Sequence, residues 1–377
     1  MIKKVLVLLG QSRYEVLRRA AVLTAKGFEK MGCEVTVADT VNRDFDVNIL
    51  HDESYDLIFM NQAFLFGLAD SKGNELISTI KTKICGWIFD DVLFHYRRVL
   101  SNHYEHVMLL SVDGSADKIM KLMKPSLNSI QSMLHGGFIS EKIYEKKTID
   151  ILCPCTLGKK PQWKSEPSSL EKELAGLAIN KWRVRPDISA RMAIEEVLEE
   201  LGEKLDGGVL TGLTNPVIYV MDSMRYICRK TILETLAEEN FKVHLIGQQD
   251  ENEEYPENVI VHGPMDIDAV VELFAQSKLV INPFPCVYEE GAHERIFTAL
   301  LNRAVCFTPG YAFLEQLLGE RIEYIDLNDM KDAVGRMHEI IDNYDFYRPA
   351  IEDNYSYALE MHSWEKRGRE IIELLSK

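Results

Sequence analysis

The sequence predicts an α/β protein made of two doubly wound domains, with a helical insertion in its second half. Three observations predict it. Short apolar runs alternate with amphipathic segments in both halves, the pattern of βαβ crossovers and parallel sheets. The alternation lapses once, over about 165–235, where the periodicity is helical. At 377 residues the chain also exceeds the ~250–300 at which one core stops growing, so two domains are expected.

The elements follow in order. KVLVLLG (4–10) is a strand ending at Gly10, and RYEVLRRAAVLTAKGFEKMG is the helix after it. CEVTVAD (33–39), DLIFMNQ (56–62), ICGWIFDD (84–91) and HVMLLSVD (106–113) are four further strands. ELISTIKTK reads as helical, and GSADKIMKLMKP as a helix stopped by Pro125. The polar, glycine-bearing stretch MLHGGFISEKIYEKKT (133–148) closes a first domain of 1–147. IDILCPCTLG (149–158) restarts the pattern. Helices SSLEKELAGLAINKW, DISARMAIEEVLEELGEKL and RKTILETLAEEN make the insertion. KVHLIGQ (242–248), VIVHGPM (259–265), LVINPFP (279–285), AVCFTP (304–309) and IEYIDL (322–327) are strands again, with helices DAVVELFAQSK, ERIFTALLNR, FLEQLLG and MKDAVGRMHEIIDN among them. The second domain therefore spans 148–360, and the closing helix, within 361–377, is expected to pack back on the first.

Composition narrows the function. Hydrophobic content of 46% with 27% charged residues is that of a well-cored globular protein. A formal charge of −16 argues against nucleic acid or an anionic membrane as partner. No apolar run approaches the ~20 residues that span a bilayer, and MIKKVLVLLG reads as a buried strand rather than a leader. Seven cysteines, odd in number and scattered, fit a cytoplasmic setting. Cys153-Pro154-Cys155 lacks the spacing of a zinc knuckle, so no metal is expected.

Polar residues gather at the predicted strand carboxyl ends, where open parallel sheets bind ligands. The first domain supplies Gly10-Gln11-Ser12, Asn61-Gln62, Asp90-Asp91 and Asp113; the second supplies Gly247-Gln248, His262-Gly263-Pro264, Asn282-Pro283 and the loop Glu289–Arg295. The stripe Ile296, Ala299 and Leu300 fixes the helix after that loop, and with it Glu290, Gly291, His293, Glu294 and Arg295. Glycine and a helix N-terminus suit a diphosphate, Arg295 can fork onto phosphate, and a glutamate suits sugar hydroxyls. Glu290 is the residue expected to accept from donor hydroxyls, with Glu289 as its solvent-facing neighbour.

The stretch VHGPMD…ELFAQSKLVINPFP…EEGAHERIFTALLNRAVCFT resembles the C-terminal domain of GT-B glycosyltransferases. Within these it is closest to the spore maturation protein CgeB-like branch of the family-four-like enzymes. ICGWIFDDVLFH and MLHGGF resemble the branch's tryptophan-bearing strand and its hinge. The resemblance implies two Rossmann-like domains facing each other across a cleft and a nucleotide-diphosphate sugar as co-substrate. It also implies no metal or other cofactor, and transfer with retention to a protein, glycolipid or polysaccharide acceptor, without stable membrane insertion. Donor binding would fall to the second domain (Glu290, Gly291, His293, Glu294, Arg295, Gly263, Pro264, Asn282, Gly247). Arg225 and Lys230 keep a phosphate-binding spacing of the family, with Lys159 and Lys160 as rivals. The acceptor side would hold Gly10, Gln11, Asn61 and Gln62, with Asp90, Asp91 and His135 as catalytic candidates. Two departures stand out: Thr298 replaces the motif's second glutamate, whose role passes to Glu294 or is lost, and Arg303 replaces a glycine. A non-catalytic GT-B protein that binds a nucleotide sugar or a partner enzyme is the alternative, and an epimerase of the same fold a third reading.

Overall fold

The computed structural model describes residues 2–158, 160–250 and 252–376, so Lys159 lies outside the described residues. The chain divides into two compact units: Met1–Gly136 with Glu290–Ala292 and Glu360–Lys377, and Gly137–Glu289 with His293–Leu359.

The first unit holds a parallel sheet of β1 (Lys4–Leu9), β2 (Glu34–Asp39), β3 (Leu57–Asn61), β4 (Lys83–Ile88), β5 (Val107–Ser111) and β6 (Ile130–Ser132). Their order is β2-β1-β3-β4-β5-β6, so the winding reverses between β1 and β3. Val5–Leu8 and Leu57–Met60 are buried, as continuous apolar strands covered on both faces must be. The helix Trp364–Leu375 packs on the helix Val16–Lys30 through two glycines. A Cβ on Gly27 would stand 2.3 Å from the Glu365 carbonyl, and one on Gly368 would stand 2.2 Å from that of Thr24. Trp364 then meets Trp87 edge-on at 5.7 Å and stacks on Phe89 at 5.4 Å.

The second unit holds β7 (Ile149–Pro154), β8 (Val243–Ile246), β9 (Val259–Gly263), β10 (Ser277–Ile281), β11 (Val305–Pro309) and β12 (Glu323–Ile325). Their order β12-β11-β10-β7-β8-β9 is doubly wound, with its reversal between β7 and β10. The insertion comprises the helices Ser169–Val184, Ala190–Glu200, Gly207–Gly212 and Thr214–Glu238. The first of these opens on a capping box of Ser168 and Glu171.

Several elements differ from expectation, among them three that bear on the sheets and the chain's end. ELISTIKTK forms only a short 3-10 turn, Leu76–Thr79, because its β-branched residues resist the helix. The three-residue β6 and the helix Arg348–Met361 are additional, the latter burying little beyond Ile351 and Ala358.

Candidate functional site

In the second unit, cationic side chains gather at the carboxyl end of β7, beside the reversal. Arg229, on the helix Thr214–Glu238, donates from Nη1 to the Thr156 carbonyl at 2.8 Å. Burial, then the nearby Arg295 and Arg225 guanidiniums, pull its pKa down to about 10 against the opposing influence of Cys155. It stays charged at neutral pH. Arg225 lies 5.2 Å over the Phe284 ring, which packs on His293 at 4.2 Å. His293 caps the helix Glu294–Leu301 by accepting from the Arg295 N–H at 3.3 Å. Nε of Arg229 and Nη1 of Arg295 are buried and find no hydrogen-bond partner among the described residues. Buried charged donors without a partner are costly and rare.

Glu294 stands at the same helix start with its side chain 17% exposed and 3.9 Å from His293. Desolvation raises its carboxyl to about 7, opposed by Arg295. Asn282 is buried; its amide donates to Thr308 Oγ1 at 3.1 Å while its Oδ1 has no partner among the described residues. Gly247 adopts φ +132°, and a Cβ there would stand 2.6 Å from the Cys155 carbonyl. Gly263, at φ +69°, borders open space, with Pro264 exposed beside it. Cys153 and Cys155 are free thiols, their sulfurs 3.7 Å apart.

Several predicted residues are placed elsewhere. Lys230 points away from Arg225 and pairs with Glu253 at 3.4 Å and Glu234 at 3.6 Å. It lines a pocket of about 310 Å³ with Leu157, Tyr255, Pro256 and Val259. The residue that joins Arg225 is Arg229. The signal was in the sequence: Met221, Arg225 and Arg229 recur every four residues and so share one face of the helix, which Lys230 leaves. Glu289 does not face solvent. It receives Arg191 through Nε at 2.8 Å and Nη2 at 2.7 Å, and the Ser189 hydroxyl at 2.7 Å. Thr298 Oγ1 accepts from the Phe138 N–H at 3.1 Å, so that hydroxyl is engaged in packing. Arg303 takes φ 57°, the left-handed turn that a glycine would take without strain.

In the first unit, the Glu290 N–H donates to Asp113 Oδ1 at 2.9 Å and its carbonyl accepts from Gly114 at 2.9 Å. Its carboxylate is exposed, and Gly291 beside it is buried. Asp91 caps a 3-10 turn by accepting from Leu93 at 2.8 Å. His135 is buried, with Nδ1 2.9 Å from the Ala292 carbonyl, and burial lowers its pKa to about 4. It therefore stays neutral and packs against Phe89. Asp90, by contrast, meets Gln62 Nε2 at 2.6 Å and His95 Nε2 at 3.1 Å. Asn61 donates to the Leu17 carbonyl, and a Cβ on Gly10 would strike the Phe64 ring at 2.8 Å; Gln11 is exposed. No cluster of three or more metal-ligating side chains occurs among the described residues. No helix among them is long and apolar enough to cross a membrane.

A family model described as glycosyl transferase-like matches residues 229–373. No curated protein matches the chain in sequence. Among solved structures, it is similar to an alpha-glucosyltransferase (AGT) in complex with UDP, at 9% identity over 100% of each chain, with a TM-score of 0.59. It is also similar to Anabaena HepE in complex with UDP-glucose, at 12% identity over 99% of each chain and a TM-score of 0.52. The T4 phage beta-glucosyltransferase is a third, at 10% identity over 99% of each chain and a TM-score of 0.52. At these identities the likeness is one of fold. The chain has the GT-B fold of two Rossmann-like domains, with a glycosyl transferase-like segment in its second half.

Proposed function

We propose that the protein is a glycosyltransferase that moves a hexose from a nucleoside-diphosphate sugar to an acceptor hydroxyl. One observation carries the reading: Arg225, Arg229 and Arg295 crowd the carboxyl end of β7, with buried donor atoms on Arg229 and Arg295 left unpaired. Like charges repel in such a place unless an anion compensates them, and a diphosphate supplies two. The same cations stabilise the departing diphosphate electrostatically, which is the service a metal would otherwise perform. The family match and the structural neighbours solved with UDP or UDP-glucose support it. Glu294 and Glu290 are the carboxylates offered to donor hydroxyls, and Gly263 and Gly247 give the nucleotide close backbone approach. Some neighbours were solved with DNA; the charge of −16 here favours a neutral acceptor. Retention needs no enzymatic base, whereas inversion needs one at the acceptor hydroxyl.

The test is calorimetry with UDP, GDP, ADP and dTDP. Saturable binding of at least one, weakened by Arg229→Gln, is expected. Absence of binding by all four sinks the reading.

The engagement of Thr298 in packing favours a second one, a non-catalytic GT-B protein that binds a nucleotide sugar. Thermal stabilisation by a nucleotide, with no consumption of any sugar nucleotide, would mark it.

A further inference from the structure

Cys153 and Cys155 stand two residues apart at the carboxyl end of β7, beside the reversal of the second unit's sheet, and their sulfurs lie 3.7 Å apart. An extended strand sets such residues ~6.7 Å apart at Cα, the outer limit of what a disulfide spans. Here the Cys155 N–H donates to the Cys153 carbonyl at 3.1 Å. That bond closes a three-residue turn about Pro154, whose ring fixes the φ such a turn needs. The turn shortens the span. The backbone beyond it is held by side chains: Gln249 Nε2 donates to the Cys155 carbonyl at 3.0 Å, and Arg229 Nη1 to the Thr156 carbonyl at 2.8 Å. Joining the sulfurs therefore asks for rotation of two short side chains and little of the backbone.

The two sulfurs are not alike. A hydrogen bond from the Cys153 thiol, and then the Arg229 and Arg295 guanidiniums, hold Cys155 below the ordinary thiol range against the opposing effect of burial. The same hydrogen bond, with burial, holds Cys153 above that range. Burial pushes Cys85, Cys228 and Cys306 up as well. Cys155 is thus the member with thiolate character, and Cys153 is the thiol placed to resolve it. The thiolate also puts negative charge beside Arg229 and Arg295, whose Nε and Nη1 have no hydrogen-bond partner among the described residues. An incoming diphosphate has to compete with that charge.

We propose that Cys153 and Cys155 form a reversible disulfide, and that its formation tightens nucleoside-diphosphate binding by removing the thiolate from beside Arg229 and Arg295. The proposal rests on the donor reading above, because the way in for a diphosphate is also the way in for the oxidant. That oxidant is hydrogen peroxide, which is far smaller than a diphosphate. The Cys155 thiolate attacks one peroxide oxygen, the O–O bond breaks, and hydroxide leaves and takes up a proton as water. A sulfenic acid remains on Cys155. The Cys153 sulfur then attacks the Cys155 sulfur, its proton passes to the departing hydroxyl, and a second water leaves as the S–S bond forms. The two thiols together lose two electrons, and one peroxide is reduced to two waters. A dithiol such as dithiothreitol reverses the step by exchange.

The experiment treats the full chain with hydrogen peroxide and then catalase, unfolds it, alkylates it and cuts it with trypsin. Cleavage after Lys147 and Lys159 leaves both cysteines on one peptide. By mass spectrometry that peptide should be unalkylated and two hydrogens lighter, and dithiothreitol should restore both alkylation sites. In calorimetry, UDP should bind the oxidised protein roughly tenfold more tightly than the reduced one. By linkage, saturating UDP should favour the disulfide by the same factor, a shift of about 30 mV to more negative potential in a glutathione titration. Cys155→Ala has no thiolate to lose, so it should bind UDP as tightly as the oxidised wild type and ignore peroxide. Cys153→Ala under dithiothreitol should keep the weaker affinity of the reduced wild type. A doubly alkylated peptide after peroxide, or a bridge from Cys155 to Cys228, overturns the pair. A bridged protein whose UDP affinity is unchanged or weaker, or Cys155→Ala that binds like the reduced wild type, overturns the link to binding. Failure of both forms to bind UDP overturns the donor reading instead, and the peptide still decides the pair.

Discussion

The two sheet reversals treat charge in opposite ways. At the end of β7, Arg229 and Arg295 keep buried nitrogens that no group of the described chain satisfies. At the ends of β3 and β4, Asp90 is met by Gln62 and His95, and Gln62 by three further hydrogen bonds. Desolvated donors without partners raise the energy of the empty site and so favour whatever anion neutralises them. A saturated network does the reverse: it holds one side chain in one orientation and gives a ligand little to neutralise. The first arrangement suits binding and the second suits aiming, although both stand where a doubly wound sheet places its ligands.

Acid should break the comparison most strongly, because it acts on the first unit. Burial lowers His135 to about 4 and His362 to about 3, below the ordinary ~6.5 of an unfolded histidine. The unfolded chain then takes up protons first as pH falls, so stability is full above about 6.5 and is lost on the way down towards 3–4. The loss should reach on the order of 5 kcal/mol, and replacing both histidines should flatten the curve in denaturant titrations at pH 7, 5.5 and 4.5. If the double variant kept the wild-type pH dependence, burial of these imidazoles would not be its source.

Next in size is Arg229→Met. Loss of a charge-assisted contact should weaken UDP binding roughly a hundredfold, about 3 kcal/mol, while removal of one of three crowded cations raises the melting temperature. A fall in melting temperature with unchanged affinity would make Arg229 structural. The neighbours Glu289 and Glu290 offer a matched pair. Glu290→Gln should cost roughly tenfold in donor affinity with the fold intact. Glu289→Gln should leave affinity alone and cost about 1–2 kcal/mol of stability, because it loosens the two-point Arg191 contact. Calorimetry and melting curves on both variants separate the cases, and a reversed pattern would exchange their roles. Smallest is Arg303→Gly. Relief of the left-handed strain should nearly cancel loss of the Glu352 ion pair and the Tyr355 ring contact, for a net change within about 1 kcal/mol.

Most of the fold was legible because parallel strands buried on both faces are written as unbroken apolar runs, such as Val5–Leu8. What escaped was short or weakly patterned. Ile130–Ser132 is three residues with a single fully apolar member, and it pairs with β5 over Leu109–Ser111 only once the sheet exists. The site was legible as positions more than as roles. Loops at strand ends followed from the topology, but whether Glu289 faces solvent depended on Arg191, nearly a hundred residues away and invisible to local pattern. The contact between Asp90 and His95 escaped because it depends on Gln62, whose left-handed backbone no propensity favours.

The two glycines that let the helix Trp364–Leu375 lie against Val16–Lys30 also set an order of events during synthesis. The ribosome makes that helix after every residue of the second unit, yet it belongs to the unit that contains β1. The second unit can therefore close while the first still waits with Trp87 and Phe89 uncovered. A nascent chain halted before Gly368 emerges should hold a protease-resistant second unit beside a first unit that is still cut.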